Sequence, residues 1–192
     1  MAGLALPDPP LGDEVVTLRV WTRDDLPDRV MGFADPDVQR FSWAGSMPYT
    51  EADAYDFFAY QREARERGEA LSLAFTQPGD PDVVLGGGSV HDIDLTHGRA
   101  GVGYWLTPSG RGQGVATHAT LLLARWAFST LSIARLELTC GPDNLRSQRV
   151  AERCGFTREG VLRSHIPFQG GRRDTVMFSL LAGELGRGAA PA

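Results

Sequence analysis

The stretch Gly101-Val-Gly-Tyr-Trp-Leu-Thr-Pro-Ser-Gly-Arg-Gly-Gln-Gly-Val-Ala116 carries the strongest structural signal in the sequence. Its first part, Gly101–Leu106, is predicted to be a β-strand, and the apolar run that begins at Val115 is predicted to be a helix. In the loop between them, Gly112 and Gly114 let the backbone approach a ligand without a Cβ in the way. Because the first turn of a helix has unpaired N–H groups at the positive end of its dipole, this loop is expected to bind an anion.

Arg111 and the spacing of the glycines in this loop leave three interpretations open. Arg111 can pair with a phosphate in a forked geometry, so that a diphosphate fits the loop better than a single carboxylate. A tight strand-to-helix turn, however, needs no ligand at all. A dinucleotide-binding fold also uses a glycine-rich loop, but Gly110-x-Gly112-x-Gly114 departs from its Gly-x-Gly-x-x-Gly spacing, and this loop lies in mid-chain.

The elements predicted around this loop define one α/β domain. Upstream we expect a strand at Val15–Trp21, a helix near Asp24–Phe33, a loop between Pro36 and Pro48, a helix over Glu51–Arg67, and strands at Ala70–Thr76 and Val83–Leu95. Downstream we expect a helix over Val115–Ser129, a strand at Ala134–Cys140, a helix ending at Cys154-Gly155, and a hairpin of Phe156–Phe168 with Arg172–Leu181. The fold class is therefore α/β (α+β), with a single mixed, largely antiparallel sheet and flanking helices over residues 13–182. Loose tails are expected at 1–12 and 183–192.

Composition excludes several classes of protein. All 19 basic residues are arginines, which excludes lysine Schiff-base and P-loop chemistry. The net charge of −5 argues against nucleic-acid binding. Cys140 and Cys154 lack the spacing of a zinc site, and no metal is expected. Without a signal peptide or a membrane-length apolar run, the sequence predicts a cytoplasmic protein with no membrane partner.

Charge is divided unevenly between the two halves of the chain. Residues 1–96 contain 7 arginines and 18 acidic residues, whereas residues 97–192 contain 12 arginines and 6 acidic residues. An acidic half joined to a basic half indicates two different ligands or ligand parts.

A second motif follows one predicted helix and one predicted strand later, at Asp143-Asn144-Leu-Arg-Ser147. Asn144 is the single asparagine of the chain, and its position predicts a helix N-cap with Ser147 inside the first turn. With both motifs in this order, the chain resembles the Gcn5-related N-acetyltransferase (GNAT) family, and most of all its ribosomal-protein-alanine (RimJ/RimL-like) group. Arg111-x-x-Gly114-x-Ala116 is similar to the family's pyrophosphate motif, and Gly103–Leu106 to the strand before it. The resemblance spans about residues 14–181.

The resemblance implies a direct acetyl transfer from acetyl-CoA to a primary amine. It implies a sheet that splays at its central strands, where Tyr104–Leu106 would pair with the pantetheine arm. It places the pyrophosphate on the amides of Gly112–Thr117, with Asn144 on the pantetheine. The implied acyl-CoA contacts are Tyr104, Trp105, Leu106, Arg111, Gly112, Gln113, Gly114, Val115, Ala116, Thr117, Asn144 and Ser147. Arg146 and Arg149 are further candidates for the donor's phosphates.

Ser147 is the candidate proton donor, and the Leu106 backbone N–H is the candidate oxyanion donor. Glu137 is named as the base, but His91, Asp92, Asp94 and a water chain stay open, because the position near Ile166 lacks the acid that this group often carries.

The acceptor is expected at Arg40, Phe41 and Trp43, and the acidic half favours a cationic amine, such as a protein N-terminus or a polyamine. A non-catalytic acyl-CoA binder and a transferase for another donor such as succinyl-CoA stay open. A homodimer is a further expectation from the group. Cys140 is hypothesised to lie near the CoA thiol, where it could form a mixed disulfide.

Overall fold

A computed structural model describes residues 3–42, 45 and 48–186 of the chain. The strands are β1 (Leu11–Gly12), β2 (Thr17–Val20), β3 (Leu71–Gln77), β4 (Asp80–Asp94), β5 (Arg99–Leu106), β6 (Arg135–Cys140), β7 (Thr157–Phe168) and β8 (Gly171–Leu181). The α-helices are α1 (Leu26–Ala34), α2 (Pro36–Phe41), α3 (Glu51–Glu66), α4 (Val115–Leu131) and α5 (Leu145–Arg153). Short 3₁₀ turns lie at Arg23–Asp25, Pro108–Gly110 and Ala182–Glu184.

One sheet joins the eight strands of the described residues in the order β1-β2-β3-β4-β5-β6-β8-β7. Neighbouring strands are antiparallel except β5 and β6, which are parallel. The mixed, largely antiparallel sheet is confirmed. The β5–β6 register ends where Gly101 faces Glu137, although β5 continues to Leu106 and β6 to Cys140. The two central strands therefore separate beyond this point, which is the expected splay.

The two faces of the sheet carry separate cores. On one face α4, with its buried Leu123, and α5 pack against fully buried strand side chains such as Val90 and Leu138. On the other, α1, α2 and α3 enclose a cluster that includes Trp21 and Phe33. Burying each large apolar side chain contributes about 1.5–3 kcal/mol before chain entropy is subtracted, so both helical layers are held by packing rather than by helix propensity.

Consecutive residues of β5 point to opposite faces of the sheet, as strand geometry requires. Tyr104 and Leu106 pack against the core of α4 and α5. Trp105 belongs to the core of α1–α3, where its ring lies parallel to that of Trp21 at 6.1 Å between centroids. The end of β5 therefore contributes side chains to both sides of the splayed sheet.

Helix α2 replaces the loop that was predicted from Pro36, and that prediction was wrong. The side chain of Asp35 accepts hydrogen bonds from the backbone N–H groups of Asp37 and Val38, and Pro36 occupies the first helical position. An aspartate cap followed by proline is a standard helix start, because both satisfy the geometry of the first turn. The helix predicted over Glu51–Arg67 is present as α3, which begins with a capping box of Thr50 and Asp53.

Residues 3–12 are attached to the domain rather than forming the loose tail that was expected. Leu4 N–H donates to the Arg65 carbonyl at 2.9 Å, and Leu11–Gly12 pair with β2. The expected domain boundary between residues 12 and 13 therefore falls in the connection between the paired strands β1 and β2. Of the expected C-terminal tail, residues 187–192 lie outside the described residues.

Candidate active site

The loop before α4 forms a helix end without a side-chain cap. Gly114 is the N-cap residue, at φ +83°, and no side chain bonds to the first-turn N–H groups. Gly112 has φ +77°, and a Cβ there would strain the backbone even though the space around it is open. The helical ladder starts with His118 N–H to the Gly114 carbonyl, so the N–H groups of residues 115–117 point out of the helix end. This end therefore has the unpaired N–H groups that an anion site requires, and the anion site itself stays a prediction.

A cleft of about 620 Å³ lies against this helix end. It is bounded by the end of β5, the glycine loop, the starts of α4 and α5, and α2. The lining residues are Asp37, Val38, Phe41, Ser42, Tyr104, Trp105, Leu106, Gly110, Arg111, Gly112, Gly114, Val115, Ala116, Thr117, Asn144, Arg146, Ser147, Arg149, Val150 and Arg153. Of the predicted acyl-CoA contacts, only Gln113 is not among them; its side-chain amide donates to the Ser109 carbonyl at 2.7 Å.

The arginines around this cleft differ in their partners. The Arg111 guanidinium donates to both carboxylate oxygens of Asp35 and, at 3.1 Å, to the Leu106 carbonyl. Burial acts to raise the pKa of Asp35, but the hydrogen bond from Arg111 and those from the α2 backbone outweigh it and hold the pKa below its usual range. Arg111 therefore already has a carboxylate partner in this structure, and its expected role as a phosphate ligand stays a prediction.

Three other arginines of the cleft remain available to an anion. Arg146 donates to Asp37 at 3.0 Å, but its side chain is 81% exposed, and exposed ion pairs are weak. Arg149 and Arg153 line the cleft without an ion-pair partner in the described part of the chain. A ligand with several phosphate charges therefore meets cationic side chains of α5 as well as the α4 helix end.

Backbone groups of β5 face the gap that the splay opens. Thr107 N–H donates to the Leu85 carbonyl on the β4 side of the strand. Since backbone polar groups alternate in direction along a strand, those of Leu106 and Tyr104 point away from β4, toward the gap. The Leu106 N–H therefore faces the site, where it is available as the predicted oxyanion donor, and an extended ligand could add to this edge like a strand.

A second cavity, of about 290 Å³, opens toward the other face of the sheet. It shares six lining residues with the cleft: Phe41, Ser42, Tyr104, Trp105, Asn144 and Ser147. The rest of its lining is Trp21, Arg29, Phe33, Phe57, Ser72, Gly88, Ser89, Gly103, Leu138, Thr139 and Cys140. The two spaces meet in the gap between β5 and β6.

Two hydroxyl groups meet at this junction. The Tyr104 hydroxyl donates to Ser147 Oγ at 3.3 Å, and the Ser147 N–H donates to Asn144 Oδ1 at 3.1 Å, so that Asn144 is the predicted N-cap. Burial raises the pKa of Tyr104 to about 12, and burial also raises the pKa of Cys140, which lines the same cavity. Both groups hold their protons at neutral pH. From the sequence, Ser147 was expected to be the proton donor, whereas Tyr104 was expected only to contact the pantetheine arm.

Arg29 is the functional residue that sequence reasoning missed altogether. Its side chain lies in the smaller cavity among aromatic rings, with Cζ 3.3 Å from the ring centroid of Phe57 and 4.6 Å from that of Phe33. Its Nε donates to the Tyr49 hydroxyl at 2.9 Å. An arginine at a helical position next to apolar residues is usually a surface residue, so nothing local marked it as a cavity residue.

The predicted acceptor residues have different positions. Phe41 lines both spaces. Arg40 lines neither: it forms an exposed ion pair with Asp143 at 2.6 Å and thereby ties α2 to the loop before α5. Trp43 lies outside the described residues.

Glu137 is not placed as a base. Its carboxylate accepts from Arg135 Nε at 2.7 Å, it faces Gly101 at the closed end of the β5–β6 pair, and it lines neither space. His91 comes nearer, because its ring lies over Gly101 and Gly103, and Gly103 lines the smaller cavity. Asp92 is held by His91 at 2.9 Å.

Comparison with known proteins agrees with this architecture. A sequence model of the acetyltransferase (GNAT) domain matches residues 16–157. An uncharacterized N-acetyltransferase, p20, of Bacillus licheniformis is 29% identical over 172 residues, which cover 89% of this chain and 95% of that protein. Ribosomal-protein-serine acetyltransferase of Escherichia coli K12 is 34% identical over 82 residues, covering 43% of this chain and 46% of that protein.

Solved structures give the same fold. Mycobacterium smegmatis RimJ, determined in complex with CoA-disulfide, has a TM-score of 0.80 at 23% identity, over 91% of this chain and 85% of that one. The chain belongs to the GNAT acetyltransferase family, and its named relatives are N-acetyltransferases.

Two further searches concern metals and membranes. In residues 3–42, 45 and 48–186 there is no group of three histidine, cysteine, aspartate or glutamate side chains that could hold a metal ion. Over the same residues, no helix is long and apolar enough to cross a membrane.

Proposed function

We propose that this protein transfers an acetyl group from acetyl-CoA to a primary amine by direct attack of the amine on the thioester. One observation carries the proposal: the cleft at the uncapped end of α4 and the smaller cavity on the other face meet between β5 and β6. Donor and acceptor can therefore enter from opposite faces and meet without an enzyme-bound intermediate. Holding both reactants in this geometry supplies much of the catalysis.

The donor would lie in the larger cleft. The N–H groups of residues 115–117 and the cations Arg149 and Arg153 would bind its phosphates. The free backbone groups of Tyr104 would pair with its amide-containing arm, because the Leu106 carbonyl already accepts from Arg111 and the Leu106 N–H would face the thioester. Acetyl-CoA supplies an activated acyl group at the thioester, and the chain's own groups orient it.

At the junction, the Leu106 N–H would stabilise negative charge on the thioester oxygen. The hydroxyl pair of Tyr104 and Ser147 would return a proton to the departing thiolate. Because the pKa of Tyr104 is raised to about 12, its hydroxyl is protonated at neutral pH and can pass a proton through Ser147. The base that takes the amine's proton would act through water, and His91 beside Gly103 is the nearest candidate on the acceptor face.

Acetyl-CoA binding and thiol release with a set of amines test this function. Acetyl-CoA is expected to raise the melting temperature and to release free CoA only when an amine is present. Tyr104→Phe and Ser147→Ala are expected to retain acetyl-CoA binding and lose turnover. Binding without thiol release from any amine would refute the transferase function and leave the alternative of a non-catalytic acyl-CoA binder. The proposal includes a cytoplasmic location and a homodimer, and light scattering of the purified protein tests the dimer.

A further inference from the structure

Arg29 is a buried cation that reaches the smaller cavity without an anionic partner from the chain. The residue is 6% exposed and lines the cavity. Among the residues that the structure describes, no aspartate or glutamate pairs with it, and the electrostatic influence of Tyr49 is what offsets its burial. The residues outside that part contain no aspartate or glutamate.

The aromatic rings around Arg29 support its charge only in part. Faces of Phe57 and Phe33 lie at cation–π distance, and such contacts offset part of the cost of burying the charge. Burial lowers the pKa of Arg29 to about 10, so the group is still charged at neutral pH. A buried cation without a hydrogen-bonded anion is costly, which makes the site favourable for one.

The guanidinium keeps N–H groups for a ligand. Nε donates to Tyr49, which uses one of the five N–H donors. Over the described residues, Thr120 Oγ1 is the fully buried side-chain polar atom that lacks a hydrogen bond. The Nη atoms of Arg29 have no hydrogen bond within those residues either, so they are not fully buried. The cavity that Arg29 lines makes these atoms accessible to a ligand.

We propose that Arg29 binds a carboxylate of the acceptor, so that the acceptor is a small amine that carries a carboxylate and an apolar or aromatic body, as a free amino acid does. This inference rests on the proposed function, since it concerns which amine enters the acceptor cavity. The cavity is small for a ligand site, its walls are aromatic, and none of its described lining residues is acidic. The structure thus gives a polyamine no counter-charge there, against the cationic acceptor that the acidic half of the sequence indicated.

Binding tests the proposal without turnover. Trp21 and Trp105 belong to the cavity wall, so their fluorescence reports occupancy. With CoA bound, each of a set of L-amino acids, including L-phenylalanine, is compared with its own carboxamide, and spermidine serves as a cationic probe. We expect at least one acid to bind about tenfold or more tightly than its amide, as loss of a charge-assisted hydrogen bond predicts. We expect Arg29→Met to remove this preference and Arg29→Lys to retain part of it. Equal binding of every acid and amide, or tighter binding of spermidine, would overturn the proposal.

Turnover of the same pairs separates this inference from the proposed function. Thiol release with amides or spermidine but no preference for acids leaves the acetyltransferase function standing and overturns the Arg29 site. Arg29-dependent binding of an acid without thiol release from any amine supports the Arg29 site and overturns the acetyltransferase function. If Arg29→Met does not fold, as circular dichroism shows, the acid-to-amide ratio of the wild-type protein decides the matter.

Discussion

Replacing Arg111 by alanine tests whether the anion-binding loop supports α2. The Arg111 guanidinium bonds both oxygens of Asp35, and Asp35 in turn caps α2 through the N–H groups of Asp37 and Val38. The Asp35 side chain is 13% exposed. Removing Arg111 therefore leaves a mostly buried carboxylate at a helix start without its cation.

The cost follows from this geometry. Loss of a charge-assisted, partly buried pair with an N-cap still present is expected to cost about 1–2 kcal/mol. For a chain of this size, that lowers the melting temperature by about 2–8 °C. Because α2 and the residue after it bring Phe41 and Ser42 to both the cleft and the smaller cavity, the KM for acetyl-CoA and the KM for the amine are each expected to rise about tenfold.

Steady-state kinetics at varied donor and acceptor concentrations measure both KM values. Arg149→Ala is the matched control, since Arg149 lines only the donor cleft and has no carboxylate partner among the described residues; it is expected to raise the acetyl-CoA KM alone. Asp35→Ala is expected to reproduce the Arg111→Ala pattern. If Arg111→Ala raises only the acetyl-CoA KM and leaves the melting temperature unchanged, the guanidinium binds the donor's phosphate directly and the reasoning fails.

Further predictions concern the junction, the acid stability and the cavity thiol. Tyr104→Phe and Ser147→Ala are each expected to lower kcat about 10²-fold or more with little change in the acetyl-CoA KM, measured by thiol release; a raised KM at unchanged kcat would contradict the proton-donor role. Burial acts to raise the pKa of Asp25, but its hydrogen bonds with Arg19 and Thr22 hold the pKa below its usual value. The stability that Asp25 contributes is therefore present above pH 4 and is lost as the pH falls through the depressed pKa. The variant Asp25→Asn is expected to be less stable than the wild-type protein at pH 7. Its melting temperature is also expected to fall less steeply in acid than that of the wild type. With CoA disulfide, Cys140 is expected to form a mixed disulfide that intact mass detects and that Cys140→Ser abolishes; an unmodified wild-type mass would contradict its place beside the thiol.

The sequence made the regular elements and the donor half of the site predictable. Both rest on local signals: alternation in β5, an apolar run in α4, glycines before that run, and an asparagine cap before α5. Such signals act within a few residues, so composition and spacing determine them. The family resemblance added the splay, which depends on where β6 stops pairing with β5 and leaves no local trace.

Helix α2 and the ion-pair partners of the charged side chains were not predictable in the same way. Asp35-Pro36 did carry a helix-start signal, but the prolines around it favoured a loop interpretation. The pairing of Arg111 with Asp35 could not be predicted from the sequence, because Asp35 lies 76 positions away in the chain. Ion pairing across elements depends on tertiary structure, which no spacing within one segment encodes. The contact of Glu137 with Arg135 is different, because the two side chains lie two positions apart and leave the same face of β6, so spacing within that strand was sufficient to indicate it.

The same difference between local signals and contacts across elements explains why the acceptor half of the candidate site was hardest to predict. Net charge indicated a cationic acceptor, yet Asp25 and Asp35 pair with Arg19 and Arg111, and no described carboxylate lines the smaller cavity. The charge that remains inside the smaller cavity is that of Arg29. Specificity in a small, partly dry cavity depends on the uncompensated group at its wall, because interactions of exposed charges are weakened by water and salt.

Helix α2 connects the two halves physically. It is tied to β8 by Arg173, which donates to the Arg40 and Phe41 carbonyls, and to α5 through Asp37 and Arg146. The same short helix thus touches the element that carries the phosphate-facing arginines and closes the cavity that holds Arg29. A ligand phosphate that attracted Arg146 would compete with Asp37 for it and would thereby act on the helix that lines the acceptor cavity. Occupancy of the two spaces is therefore expected to be thermodynamically coupled, with each substrate changing the affinity for the other by the same factor.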